Sequence, residues 1–242
     1  MINSLCIRDD SATLDGDLFR HIVRVLRLSP GDRLILVDEK GSEHDGVIEH
    51  VAREQVTVRI TRTEHEPARE GNGLLITVCQ ALPKGDKIDL ILQKGTELGA
   101  HDFWLYCSRR SVARVSEDQR TAKLERWSRI VAEAARQCGR RTVPTVRWYP
   151  TAAEAAAAAT HDLRLVLWEA EHTRRLKETL ANSPAPESVI VSIGPEGGFD
   201  PQETDLFVRH RFQSISLGSR ILRTETAAIA IVAILQYTYG DI

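Results

Sequence analysis

Two short segments near the end of the chain hold the residue types best suited to chemistry. They are Ile193-Gly194-Pro195-Glu196-Gly197-Gly198-Phe199 and Leu217-Gly218-Ser219-Arg220-Ile221-Leu222-Arg223-Thr224-Glu225-Thr226-Ala227. Glycine has no Cβ, so such segments can turn through positive φ and let a ligand approach bare backbone donors and acceptors. Taken singly, each reads as a tight strand-to-helix turn. Two of them so close in sequence point to one shared site for a flat polar ligand. Neither matches Gly-x-G-x-x-Gly or the phosphate-binding Gly-x-x-x-x-Gly-Lys-Ser/Thr pattern, which disfavours a Rossmann dehydrogenase or a P-loop enzyme.

The elements that must position these segments follow from periodicity. Ser188 to Ile193 reads as a buried strand, and Pro201 with Glu203 as the first turn of a helix. Upstream, strands are expected at Leu74–Gln80, Phe103–Cys107 and Leu163–Trp168. Helices are expected at Lys84–Leu98, Asp118–Cys138, Ala152–Ala159 and Thr173–Leu180. This alternation predicts an α/β domain with a mostly parallel sheet covered on both faces, and ligands of such sheets sit at the carboxyl ends of the strands. The closing helix, Glu225 to Tyr237, is apolar almost all round, so it must face the core or a partner subunit. Before residue 64 the pattern changes to short alternating strands at Arg33–Asp38, Glu43–Val51 and Gln55–Thr63. One helix interrupts them, with Leu18, Ile22 and Val25 on a buried stripe and Arg20, Arg24 and Arg27 on a neighbouring face. Polar residues from Glu64 to Gly73 read as a linker, giving domains at 1–66 and 73–242.

At 242 residues, 42% hydrophobic and 27% charged, the chain has the composition of a soluble globular protein. Cys6, Cys79, Cys107 and Cys138 are scattered, which suggests neither a zinc site nor a disulfide framework and predicts no metal. No secretory leader is evident, and no apolar run approaches the roughly 20 residues that span a bilayer, so a cytoplasmic location without membrane attachment is expected. The net charge of -2 hides a local asymmetry. Between Arg109 and Arg147 eleven Arg or Lys face four acids, in a stretch that includes Arg110, Arg136 and Arg140. That excess, with Arg20, Arg24 and Arg27, suits a polyanion held along its backbone, and RNA is the expected partner. With aromatic residues at only 5%, recognition by shape and phosphate is expected over base stacking.

The ordered set of strings resembles the 16S ribosomal RNA (uracil-N3) methyltransferase family of the SPOUT superfamily. The matching pieces are His21-Ile22-Val23-Arg24-Val25-Leu26-Arg27 with Gly31-Asp32, Lys84-Gly85-Asp86-Lys87, Gln93 to Gly99, Arg126-Trp127, Glu133 to Arg140 with Val143-Pro144, Gly194 to Phe199, and Leu217 to Thr226. The resemblance implies a small N-terminal PUA-like β-barrel domain and a C-terminal SPOUT domain with a trefoil knot. It also implies a homodimer, S-adenosylmethionine as methyl donor, and a uracil of the 16S rRNA decoding region, within the small ribosomal subunit, as acceptor. Carried over by position, it implies a donor pocket lined by Trp168, Glu169, Gly194, Glu196, Gly197, Gly198, Leu217, Gly218, Ile221, Leu222 and Arg223. From the basic charge, Arg20, Arg24, Arg27, Arg109, Arg110, Arg136 and Arg140 are the expected RNA contacts.

Uracil N3 carries a proton and is a poor nucleophile until that proton leaves, so its methylation needs a base or a cation that stabilises the anion. Arg223 and Arg140 are candidates for the cation, and Glu196 or Glu225 for the base. Two rival readings share the same loops: a SPOUT enzyme methylating a ribose 2′-hydroxyl, and an RNA-binding assembly factor without catalysis.

Overall fold

A computed structural model describes residues 7–8, 10–38, 42–64 and 73–242, and the chain divides into two compact units, Met1–Glu70 and Gly71–Ile242. Cys6 and most of the expected linker lie outside the described residues. The first unit is a five-stranded antiparallel sheet in the order β1-β2-β5-β4-β3, built from β1 (Ile7–Arg8), β2 (Ser11–Asp15), β3 (Arg33–Val37), β4 (Glu43–Val51) and β5 (Gln55–Glu64). Alternation puts Leu14, Leu36, Ile48, Val56 and Val58 on its buried face. Irregularities after Asp45 and Ile48 bend β4, and at Gly46 a Cβ would collide with the side chain of Val58.

Helix α1 (Gly16–Arg20) runs straight into a π-helical turn, His21–Val25, in which the Leu26 N–H donates to His21 O at 2.9 Å. The wider turn changes the angular step, so the expected buried stripe fails at its last member. Ile22 is buried, but Val25 is 66% exposed. Arg20 ends α1, and Arg24 stands in the π-helical turn. Arg27 adds a left-handed backbone, at φ 56°. Arg20 pairs with Asp17, while Arg24 and Arg27 are exposed.

The second unit is a six-stranded parallel sheet in the order β11-β9-β10-β6-β7-β8. Its strands are β6 (Leu75–Ala81), β7 (Asp102–Tyr106), β8 (Thr145–Tyr149), β9 (Leu163–Leu167), β10 (Ser188–Ile193) and β11 (Gln213–Ile215). The helices are α2 (Lys87–Glu97), α3 (Glu117–Cys138), α4 (Ala152–Ala158), α5 (Leu176–Ala181), α6 (Pro201–Arg209) and α7 (Thr224–Tyr239). Alternate residues of each strand enter two separate cores. Ile76, Val78, Phe103, Leu105, Val189 and Val191 pack with α2, α3, α5 and α7. Cys79, Trp104, Tyr106, Val166 and Ile190 pack with α4 and α6. Burial on both faces explains why the strands read as continuous apolar runs.

The α/β fold with a mostly parallel sheet covered on both faces, expected from the sequence, is therefore the fold observed. β8 was not anticipated, because its residues fall in the arginine-rich stretch that read as a basic surface. Strand β11 lies at the sheet edge, yet α7 begins beside the ends of β10 and β6. The closing segment therefore runs from that edge past β9 to the ends of the central strands.

Candidate functional site

In a parallel sheet all carboxyl ends share one edge, and here the turns after β9, β10 and β11 converge on it. The turn after β10 closes through the Gly198 N–H to Pro195 O at 2.9 Å. Gly198 sits at φ +67°, and the space its Cβ would need is taken by the Glu169 carboxylate from the turn after β9. The Trp168 N–H donates to Ile215 O at 3.1 Å, so the first and third turns also touch. In the third turn Gly218 has φ +128° with open space beside it, and Ile221 is 85% exposed.

The crossing is tied by two residues that sequence reasoning did not single out as a pair. Thr224, the first residue of α7, donates its hydroxyl to Gly194 O at 2.6 Å and accepts from Gln80 Nε2 at 2.9 Å. Gln80 is fully buried at the end of β6, and its amide also reaches Ala81 O at 2.8 Å. The available signal was a glutamine ending an otherwise apolar strand, a position where a buried amide needs partners.

A compact charge cluster lies beside these turns. Lys87 Nζ is 2.8 Å from Glu196 Oε1 and 3.7 Å from Glu225 Oε2, and the Lys84 N–H donates to Glu196 at 3.0 Å. Partial burial alone would raise the Glu196 carboxyl. The hydrogen bonds from Lys87 and from backbone N–H groups outweigh it and hold the carboxyl below its usual range. The bonded Glu196 in turn raises the Lys87 ammonium. Glu225 Oε2 is buried without a hydrogen-bond partner, and Arg223, at the N-cap of α7, is exposed. The cation that binds both carboxylates is Lys87, which the sequence offered only as part of a recurring string.

Further round the turn after β9, Glu171 accepts from the Thr173 hydroxyl and N–H at 2.6 and 2.9 Å, and these bonds draw its carboxyl down to about 2. Arg110 donates to Gly197 O at 3.1 Å, which brings the basic segment after β7 to the same turn as Glu196.

Arg140 is placed elsewhere. Its guanidinium donates to Ala100 O at 2.7 Å and Thr96 O at 3.1 Å, at the C-terminal end of α2, whereas Glu196 binds the N-terminal end. Eleven helical residues separate those ends, about 16 Å at 1.5 Å per residue. Within one chain Arg140 therefore does not join Arg223, Glu196 and Glu225. Arg136 is exposed and pairs with Glu133. Glu97 binds Lys94 on its own helix at 2.7 Å. Among the described residues no group of three His, Cys, Asp or Glu could hold a metal ion, and no helix is long and apolar enough to cross a membrane.

Residues 70–236 match the model of an RNA methyltransferase domain, and residues 14–61 that of an RNA methyltransferase PUA domain. The chain is 30% identical to the ribosomal RNA small subunit methyltransferase E of Bacillus subtilis, over 93% of this chain and 89% of that protein. It is 33% identical to the protein of that name from Mycobacterium tuberculosis, over 90% and 82%. Among solved structures, the Neisseria gonorrhoeae enzyme of that name, bound to S-adenosyl methionine, superposes with a TM-score of 0.80 at 30% identity, covering 95% of this chain and 92% of that one. A Legionella pneumophila structure with bound cofactor SAM gives a TM-score of 0.82 at 33% identity, over 96% and 93%.

Proposed function

Because the chain belongs to the family of ribosomal RNA small subunit methyltransferases E, we propose that it transfers a methyl group from S-adenosylmethionine to N3 of a uracil in the decoding region of 16S rRNA. S-adenosylmethionine-dependent methylation of small-subunit rRNA is the family's activity, and the base and atom are the finer part of the reading. One observation carries it: three backbone-rich turns meet at one sheet edge, with Glu169 filling the place of a Gly198 side chain.

The residues present fit the donor. Adenine is flat with polar edges, which the carbonyls and N–H groups of the turns at 194–198 and 216–218 suit, while Leu217, Ile221 and Leu222 offer apolar cover. Ile221, 85% exposed beside these turns, is placed to cover one face of the ring. When bound, S-adenosylmethionine supplies an electrophilic methyl carbon. Everything else falls to the chain, chiefly orientation and the removal of one proton.

Glu196, held ionised by Lys87, is a weak base and serves to fix the turn. Glu225, whose Oε2 accepts no hydrogen bond and stands 3.7 Å from Lys87, takes the N3 proton, and Arg223, two residues before it, stabilises the uracil anion. The target base must be unpaired, because N3 is occupied in a Watson-Crick pair. Arg109 and Arg110 contact the RNA backbone beside the donor turn. The active form is a homodimer in the cytoplasm, joined through the outer face of α7, where Ile234 is 38% and Tyr237 79% exposed.

The test is methylation of small ribosomal subunits lacking the mark, followed by mass spectrometry of the nucleosides. Methyl-3-uridine is the expected product. A 2′-O-methyl nucleoside would overturn the choice of acceptor, and no methylation at all would overturn the reading as a whole.

A further inference from the structure

Glu203, in the first turn of α6, is a carboxylate only 5% exposed. A buried carboxylate needs compensating partners, and an apolar residue would fill the same space without that requirement. Its hydrogen bonds run to the segment after β7. The Ser108 hydroxyl donates to Oε2 at 2.7 Å and the Arg109 N–H to Oε1 at 2.9 Å.

That segment is braced throughout. Ser111 Oγ donates to Leu82 O at 3.0 Å, and Arg114 Nη1 to Ser108 O at 2.9 Å. With its backbone fixed in this way, the segment presents two arginines on the donor-site side. Arg109 binds Gln202 and lies 3.6 Å from Asp200, with its side chain still 60% exposed. Arg110 donates through Nη1 to Gly197 O, and a guanidinium carries five N–H donors, so others remain for a phosphate.

We infer that Glu203 is a positioning residue: its buried carboxylate fixes the 108–114 segment so that Arg109 and Arg110 grip the RNA backbone beside the methyl-transfer site. This rests on the rRNA methyltransferase reading above. Glu203 touches neither donor nor RNA, so it acts through the arginines.

The measurement is the KM for small ribosomal subunits lacking the mark, at saturating S-adenosylmethionine, beside the Kd for S-adenosylmethionine by calorimetry. The full-length chain is compared with Glu203→Gln, Arg109→Gln with Arg110→Gln, and all three changes together. Glu203→Gln keeps the side chain's size but replaces one acceptor oxygen with a donor. It should raise the RNA KM by about fivefold while leaving the donor Kd within about twofold. The arginine pair should raise the RNA KM by about tenfold or more. Adding Glu203→Gln to that pair should change it little, because the carboxylate has then lost what it positions.

An unchanged RNA KM in Glu203→Gln overturns the inference. So does a donor Kd that rises in step with the RNA KM, or full additivity in the combined variant. Failure of the wild-type chain to methylate any small subunit would instead overturn the underlying reading, which keeps the two failures apart.

Discussion

At the scale of single residues, the site turns on which glycine has no room. Gly197 and Gly198 stand side by side in the turn after β10, and Gly197 leaves room for a side chain. In the structure a Cβ there meets Arg110 only at an ordinary 3.4 Å, whereas Gly198 has positive φ and faces the Glu169 carboxylate. A β-branched residue in that backbone region costs on the order of 1–2 kcal/mol before any clash, so Gly198 is the sensitive position. The acceptor chemistry divides between neighbours. On the mechanism proposed above, Glu225→Gln should lower kcat by about a hundredfold or more, with donor Kd nearly unchanged, because it acts on the uracil rather than on the donor. Steady-state kinetics and calorimetry on the same preparations check this, and a matching loss of donor affinity would contradict the assignment. Sequence alone left Glu196 and Glu225 equal as bases. What separates them is hydrogen bonding, since Lys87, more than a hundred residues upstream, bonds Glu196 at 2.8 Å but stands 3.7 Å from Glu225.

At the scale of elements, α2 is held at both ends by long-range contacts, with Glu196 at its start and Arg140 at its close. Arg140 was read as a catalytic or phosphate-binding cation because it stands in an arginine-rich stretch. Its two backbone carbonyl partners make it a clamp on the α2–β7 turn. Arg140→Met should lower stability by about 2 kcal/mol, the range for hydrogen bonds to a charged group, and calorimetric melting should show it with donor affinity retained once folded. Strong patterns were legible: the boundaries of α3, α7, β6 and β10 lie within one or two residues of those read from periodicity. Weak ones were not. β8 alternates Val146 and Trp148 with polar residues over only five positions, too short to stand out from the arginines around it. The π-helical turn at His21–Val25 has no sequence mark, and it rotated Val25 out of the core.

At the scale of the whole molecule, the alternation of strands and helices announced a parallel sheet, but nothing in it could announce a threaded chain, which general topology disfavours. A knot is what the resemblance implies, and what the structure shows is the Gln80–Thr224–Gly194 tie between the start of α7 and the ends of β6 and β10. The apolar excess of α7 was legible as a surface needing cover, and only half of it meets the core. Ile234→Glu with Tyr237→Glu should convert a dimer to a monomer in sedimentation, since the other face keeps Ile231, Val232 and Leu235 buried. At the far end of the sheet, burial lowers His161 to about 4, and its Nε2 shares a hydrogen bond of 2.8 Å with Thr77. A folded pKa below the unfolded value of about 6.5 means stability is fully present above that pH and declines as pH falls toward 4. Melting temperature should fall across that window, and His161→Gln should flatten the fall; an unchanged slope would remove His161 as its cause. The whole account depends on the turns after β9, β10 and β11 forming one donor cradle, and titration calorimetry with S-adenosylmethionine tests it most directly. The wild-type chain should bind and Gly198→Val should bind at least about tenfold more weakly, a change of 1.4 kcal/mol; equal affinity in the two would contradict it.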